Sequence, residues 1–109
     1  MQKNASVTIN QKRERIELDY ENLRKVVSVL RAVNHRLRQE IIELLQGRDQ
    51  ITVTDIYVQL RIEQSVASQH LAILRRAEIV NTTREGKYIC YSLNKAKLAV
   101  ISKLASKLG

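Results

Sequence analysis

From Ile16 the residues Ile16, Tyr20, Leu23, Val27 and Leu30 recur at steps of four, three, four and three. That spacing returns each of them to one side of a helix and predicts a single apolar stripe. Leu37, Ile41, Leu44 and Leu45 share a face of a second helix, with Asn34 placed to cap its start and Gly47 to stop it. Ile51-Thr52-Val53 is long enough only for an edge strand. Thr54 reads as the N-cap of a short helix ending near Leu60, with Asp55 well placed in the first turn.

A further helix follows after about three residues and opens Gln64-Ser65-Val66-Ala67-Ser68-Gln69-His70-Leu71. Its back carries Ala67, Leu71 and Leu74, and its front carries Gln64, Ser65, Ser68 and Gln69. Next, Ile79 to Thr83 and Tyr88 to Leu93 are β-branched and aromatic-rich runs around the tip Arg84-Glu85-Gly86-Lys87, a hairpin pattern. Leu98, Ile101, Leu104, Ala105 and Leu108 predict a closing helix. The order is helix, helix, short strand, helix, helix, hairpin, helix: a mainly α chain with a small β-hairpin, of the α+β class. Residues 1–11 are polar and predict a flexible tail; residues 12–109 predict a single domain.

Composition narrows the class. The chain has 109 residues and is 44% hydrophobic, enough for one folded domain with a modest aliphatic core. It has no Pro, Phe or Trp and three Gly, which favours long helices over tight turns. No run approaches the length of a membrane helix, and Met1 to Asn10 has no signal-peptide core, so a soluble cytoplasmic protein is expected. The single Cys90 cannot form an internal disulfide, which suits a reducing compartment.

The net charge is +8, which points to a polyanionic partner, but the excess sits at the ends. Residues 1–15 carry +3 and residues 95–109 carry +4, leaving +1 for the centre. Charge can therefore steer the protein without marking a reading surface. The front of the Gln64 helix marks one better. Its short amides and hydroxyls reach base edges in a DNA major groove, with no bulk to hold the helix away. The preceding helix lies about three residues upstream, so the two form a helix-turn-helix candidate. The hairpin behind them places Arg84 and Lys87 at its tip, where phosphate contact needs only a reachable positive charge.

Several segments together resemble the ArsR/SmtB family of winged-helix transcriptional repressors. Leu30-Arg31-Ala32-Val33-Asn34-His35 with Arg38 and Ile41-Ile42-Glu43-Leu44-Leu45 is similar to that family's first helix junction. Val53-Thr54-Asp55-Ile56 resembles the start of its first helix-turn-helix helix. Gln64-Ser65, Ser68-Gln69-His70-Leu71 and Leu74-Arg75 resemble its recognition helix. Ile79-Val80, Arg84, Gly86-Lys87 and Tyr91-Ser92-Leu93 resemble its wing, and the likeness covers about residues 23 to 100.

The resemblance implies a winged helix-turn-helix homodimer on double-stranded DNA. Gln64, Ser65, Ser68 and Gln69 would touch bases or adjacent phosphates, His70 would support the interface, and Arg84 and Lys87 would clamp phosphate. It also implies a dimer layer of first and last helices, which here offers Ile16, Tyr20, Leu23, Val27, Leu98, Ile101, Leu104 and Leu108. Two-fold symmetry then implies an inverted-repeat operator with half-sites about 34 Å apart. Three positions depart from the family's habit: Arg36 where Pro is frequent, Arg61 where Gly is common, and Glu63 where a small capping Ser is usual. Arg61 is expected to be strained if its φ is positive. Val66-Ala67 inverts a common small-then-branched order.

No metal and no cofactor is expected. Thr52-Val53-Thr54 stands where family members carry a Cys-x-Cys metal site, and Asn94, Lys95 and Lys97 open the stretch that holds the other site, with no His or acid after them. His35 and His70 are 35 residues apart, with no Cys or carboxylate at ligand spacing, and His35 reads as a structural hydrogen-bonding residue. Cys90 faces outward if Ile89 and Tyr91 are the packed residues, and would then be a redox candidate. No phosphate loop, catalytic triad or carboxylate pair is apparent, so an enzyme is not expected. The alternatives are a winged-helix protein-contact module with weak DNA affinity and a thiol-switched repressor acting through Cys90.

Overall fold

The computed structural model describes residues 19–108. The element order is α1 (Tyr20–Val33), α2 (Arg36–Gln46), β1 (Ile51–Thr52), α3 (Val53–Leu60), α4 (Gln64–Arg76), β2 (Val80–Glu85), β3 (Tyr88–Leu93) and α5 (Lys95–Leu108). This is the order expected from the apolar spacing. Ile16 and the tail of residues 1–11 lie outside the described residues.

Except for α4, the helices start on side chains that satisfy their first N–H groups. Asp19 Oδ1 accepts from Glu21 N at 3.0 Å and Asn22 N at 3.3 Å at the start of α1. Asn34, expected to cap α2, instead closes α1, its N–H donating to the Arg31 carbonyl. The cap of α2 is His35, in extended backbone (φ −153), whose Nδ1 accepts from Leu37 N at 3.1 Å. Imidazole Nδ1 sits as many bonds from the backbone as an Asp Oδ1, so it does the same job. Likewise Thr52, not Thr54, caps α3, with Oγ1 accepting from Asp55 N at 3.2 Å. The chain passes from the two-residue β1 straight into α3, so the extended residue nearest the helix takes the cap.

Helix ends show a second pattern. Gly47 closes α2 at φ −87, so its missing Cβ is not what the turn requires. Arg61, by contrast, sits at φ 57 and ψ 44 after α3. Its N–H donates to Val58 O at 3.2 Å and Ile62 N–H to Tyr57 O at 3.1 Å, the paired bonds of a Schellman end. The same arrangement closes α4: Glu78 stands at φ 63, with Glu78 N–H to Arg75 O and Ile79 N–H to Leu74 O, both 2.9 Å. Both ends thus hold a charged residue in the conformation glycine favours.

β1, β3 and β2 form an antiparallel sheet with β3 in the middle. Ile51 faces Tyr91, and β2 pairs with β3 from Val80 opposite Leu93 to Glu85 opposite Tyr88. Gly86 turns the hairpin at φ 63. The core is one aliphatic cluster in which Ile41, Leu45, Ile56, Leu71, Leu74, Ile79 and Val80 are fully buried. It draws on α2, α3, α4 and the base of the sheet, and so fixes α4 against its neighbours. Among the described residues no helix is long and apolar enough to cross a membrane.

Candidate nucleic-acid interface

α4 has the two-sided character its sequence predicts. Ala67, Leu71 and Leu74 have no exposed surface, while Gln64, Ser65, Ser68 and Gln69 are all exposed. Burial of the back fixes the helix rotation, and with it the direction of the polar front. The N-cap of α4, Glu63, makes no side-chain hydrogen bond to the first turn. Its carboxylate stands beside the exposed edge, where it opposes an anion. Arg75 and Arg76 in the last turn add positive charge at the other end.

His70 is not part of the exposed edge. It is half-buried on the flank of α4 that meets the α1–α2 junction. Its ring centroid is 4.5 Å from that of His35, with the planes tilted by 47°. Its Nδ1 lies 3.1 Å from Arg38 Nη1, and the arginine, always a donor, fixes that nitrogen as the acceptor. Arg38 also donates from Nε to Ala32 O and from Nη2 to Arg31 O, so it ties the end of α1 to α4. The His70 pKa is lowered from 6.5, first by burial, then by the neighbouring His35 and Arg38. Neutral His70 is therefore the form that this site favours.

Arg84 and Lys87 both stand exposed at the hairpin tip. Arg84 Nε donates to the Gly86 carbonyl at 3.3 Å, and Lys87 Nζ lies over the Tyr88 ring, 5.6 Å from its centroid. The hairpin is anchored at its side by Gln50, whose Nε2 donates to Glu85 Oε1 at 3.1 Å and whose Oε1 accepts from Thr83 Oγ1 at 3.2 Å. Neither this anchor nor the His35–Arg38–His70 cluster is legible from spacing, because their members are far apart in the chain.

Cys90 requires a correction. It is 5% exposed and so is not open to solvent as an outward-facing residue was expected to be. Tyr91 and Leu93 do pack on the core, and Cys90 points to the opposite side. It nevertheless lies on the central strand, opposite Thr52 in β1 and Thr83 in β2, where a side chain this small is shielded. Ile89, one of the two residues expected to pack, is 41% exposed near the tip. Among the described residues no group of three or more His, Cys, Asp or Glu side chains is placed to hold a metal ion.

Comparison with known proteins agrees with this geometry. Residues 35–82 match the model of the bacterial regulatory protein family arsR. The chain is 39% identical over 67 residues to the transcriptional repressor SdpR of Bacillus subtilis, covering 62% of this chain and 73% of SdpR. It is 30% identical over 92 residues to the transcriptional repressor PagR of Bacillus anthracis, covering 84% of this chain and 92% of PagR. The solved structure of HlyU from Vibrio cholerae superposes with a TM-score of 0.67 at 32% identity, over 81% of this chain and 95% of that one. The resemblance seen in the sequence is thus shown over the fold as well as the motifs, and the chain belongs to the ArsR family of winged-helix transcriptional regulators.

Proposed function

We propose that the protein is a sequence-specific DNA-binding repressor that acts as a homodimer on an inverted-repeat operator. The observation that carries this reading is the exposed edge Gln64, Ser65, Ser68 and Gln69 on a helix whose opposite side is fully buried. Those four side chains read base edges or the phosphates beside them. Arg84 and Lys87 hold phosphate from the wing. His70 supports the interface from behind, by fixing α4 to Arg38 and the α1–α2 junction. PagR and SdpR are named as repressors and support that direction of regulation, whereas HlyU of Vibrio cholerae is named as an activator.

The dimer layer uses α1 and α5. Tyr20, Leu23 and Val27 on α1 are 40%, 46% and 38% exposed, large apolar surface that a second copy would cover. On α5, Leu98 and Ile101 are half-buried against the chain's own core, Leu104 is half-buried, and Val100 is 53% exposed. The expected α5 stripe is therefore shared between core and interface. The Leu108 side chain and Ile16 lie outside the described residues. Regulation does not pass through the family's metal sites, since Thr52 is a helix cap and Lys97 pairs with Glu78 at 3.4 Å.

The test is fluorescence anisotropy on the DNA upstream of the gene, with Gln64→Ala and Ser68→Ala. Each lost base contact is expected to cost about 1–3 kcal/mol and to relax preference at one operator position. Unchanged affinity and preference in both variants would count against the reading. Absence of any salt-dependent DNA binding by the parent would favour a protein-contact module instead.

A further inference from the structure

Arg38 uses all three nitrogens of its guanidinium, each on a different partner. Nε donates to Ala32 O at 2.6 Å, Nη2 to Arg31 O at 3.2 Å, and Nη1 to His70 Nδ1 at 3.1 Å. We propose that Arg38 is a positioning residue for DNA recognition: it locks α4 to the last turn of α1, and a proton on His70 opens the lock and lowers sequence preference. This role rests on the DNA reading of α4 given above.

The rest of the attachment of α4 is apolar. Its back packs on the core through Ala67, Leu71 and Leu74, and such contacts resist separation but have little direction. Among the described residues, the bond from Arg38 to His70 is the only hydrogen bond made by a side chain of α4. His70 directly follows Ser68 and Gln69, so the bond acts in the turn that presents the polar edge. The two carbonyls belong to the last turn of α1, where helical donors run out. α1 is also the helix whose Tyr20, Leu23 and Val27 are assigned to the dimer layer. One planar, rigid fork thus joins the helix that sets the subunit arrangement to the helix that reads DNA. Both side chains of the lock are half-buried, which strengthens the bond over its value in water.

The lock has one member that titrates near neutrality. Arginine only donates, so His70 Nδ1 must be bare to accept it. A proton there replaces the bond by two cations facing each other. The groups around His70 are all bases. His35 comes from the α1–α2 junction and Arg38 from α2, while Arg24 and Arg31 of α1 and Arg76 of α4 line the same side as Arg38. Glu40 of α2 is paired with Arg36 at 3.4 Å. α3 and β2 pack on the apolar back of α4, where the core cluster holds no acid, Lys, Arg or His. Burial, His35 and Arg38 accordingly hold His70 below 6.5, and neutral His70 is the closed form. Acidification therefore frees α4 from α1 and blurs the placement of its reading edge. A histidine that met phosphate itself would do the opposite: its proton would add a cation and tighten every DNA sequence alike.

The measurement is fluorescence anisotropy of the full chain on the DNA upstream of the gene and on a scrambled duplex of the same composition, from pH 7.5 to 5 at constant ionic strength. The ratio of the two affinities is expected to fall on acidification by roughly threefold or more. His70→Asn places Oδ1 where Nδ1 stood and takes up no proton in this range, so its ratio is expected to stay constant with pH. His35→Asn keeps a capping side chain and is expected to retain the fall, with its midpoint moved up because a positive neighbour is gone. Arg38→Gln is expected to lower the ratio at pH 7.5 and leave it flat. Arg38→Lys is expected not to restore it, because a point ammonium cannot reproduce the fork. Should Arg38→Gln fail to fold, the histidine variants still decide. A pH-invariant ratio in the parent, the parental slope in His70→Asn, or full preference in Arg38→Lys would each overturn the role of Arg38. Loss of the slope in His35→Asn would move the effect to the cap of α2. Tighter binding of both duplexes at low pH, abolished in His70→Asn, would make His70 a phosphate contact instead. A parent with no salt-dependent DNA binding at any pH would fail the reading of α4 itself, and this role with it.

Discussion

His35 and His70 sit 35 positions apart in the chain, yet their ring centroids are 4.5 Å apart. His35 caps α2 through Nδ1, and His70 receives Arg38 through Nδ1, so both rings have a nitrogen committed as acceptor. Protonating His70 Nδ1 removes the hydrogen bond by which Arg38 ties the α1–α2 junction to α4. The contact joins the cap of one helix to the flank of the helix that carries the exposed polar edge.

A pH dependence with a definite sign follows. The folded-state pKa of His70 is lowered from 6.5, with burial as the first cause and His35 and Arg38 behind it. Between the lowered value and 6.5 the unfolded chain binds more protons than the folded one, so stability rises with pH. The contribution is complete above about pH 6.5, is lost as pH falls below it, and levels off below the folded value. Urea midpoints for the parent and His70→Gln between pH 5 and 7.5 check this. The parent is expected to lose stability more steeply on acidification, and parallel profiles would remove His70 as the cause.

Arg61 and Glu78 both occupy positive φ at the ends of α3 and α4. A non-glycine residue there costs about 1–2 kcal/mol, against roughly 0.4–1 kcal/mol of extra unfolded-chain entropy when Gly replaces it. Arg61→Gly is therefore expected to stabilise by roughly 0.5–1 kcal/mol. Arg61→Val is expected to destabilise, since a branched Cβ tolerates this conformation worst. Glu78→Gly gains less, because it also gives up the ion pair with Lys97 at 3.4 Å. Chemical denaturation orders the three variants; a destabilised Arg61→Gly would contradict the strain.

These particular residues show where a chain is readable. The rotation of α4 is legible because Ala67, Leu71 and Leu74 repeat at the helix period and only one face can be dry. The need for a left-handed residue at Arg61 is legible through the family habit of Gly there, whereas Glu78 carries no such sign in the spacing. The cap of α2 is misplaced by one residue because Asn is the better intrinsic capper, and the choice of His35 depends on where α1 ends. The His35–His70 contact and the Gln50 anchor of the wing are long-range consequences of packing. Cys90 follows strand alternation correctly but not exposure, since exposure depends on which neighbours flank the central strand.

At the wing, Lys87 is exposed and its ammonium lies over the Tyr88 ring. That contact positions the charge without neutralising it, so it remains available to a phosphate. Lys87→Ala is expected to weaken DNA binding evenly across operator variants and to flatten the log-log salt dependence by about one unit. A change in sequence preference instead would mean that the wing reads bases. Measuring affinity at several salt concentrations on two operator sequences separates the outcomes.

Cys90 is 5% exposed between Thr52 and Thr83 on the central strand. A thiol there can meet a reagent only when the sheet opens, so its modification rate follows the opening equilibrium rather than the intrinsic reactivity of the thiol. Native protein is expected to react slowly with a disulfide reagent and to become fully reactive in urea. DNA affinity is expected to withstand mild oxidant equally in the parent and in Cys90→Ser. The variant itself places a hydroxyl in a site with little solvent and is expected to lose about 1–2 kcal/mol unless a neighbouring threonine accepts its proton. Rapid native modification accompanied by release of DNA, abolished in Cys90→Ser, would instead make the thiol a switch and require the wing sheet to open far more readily than its pairing implies.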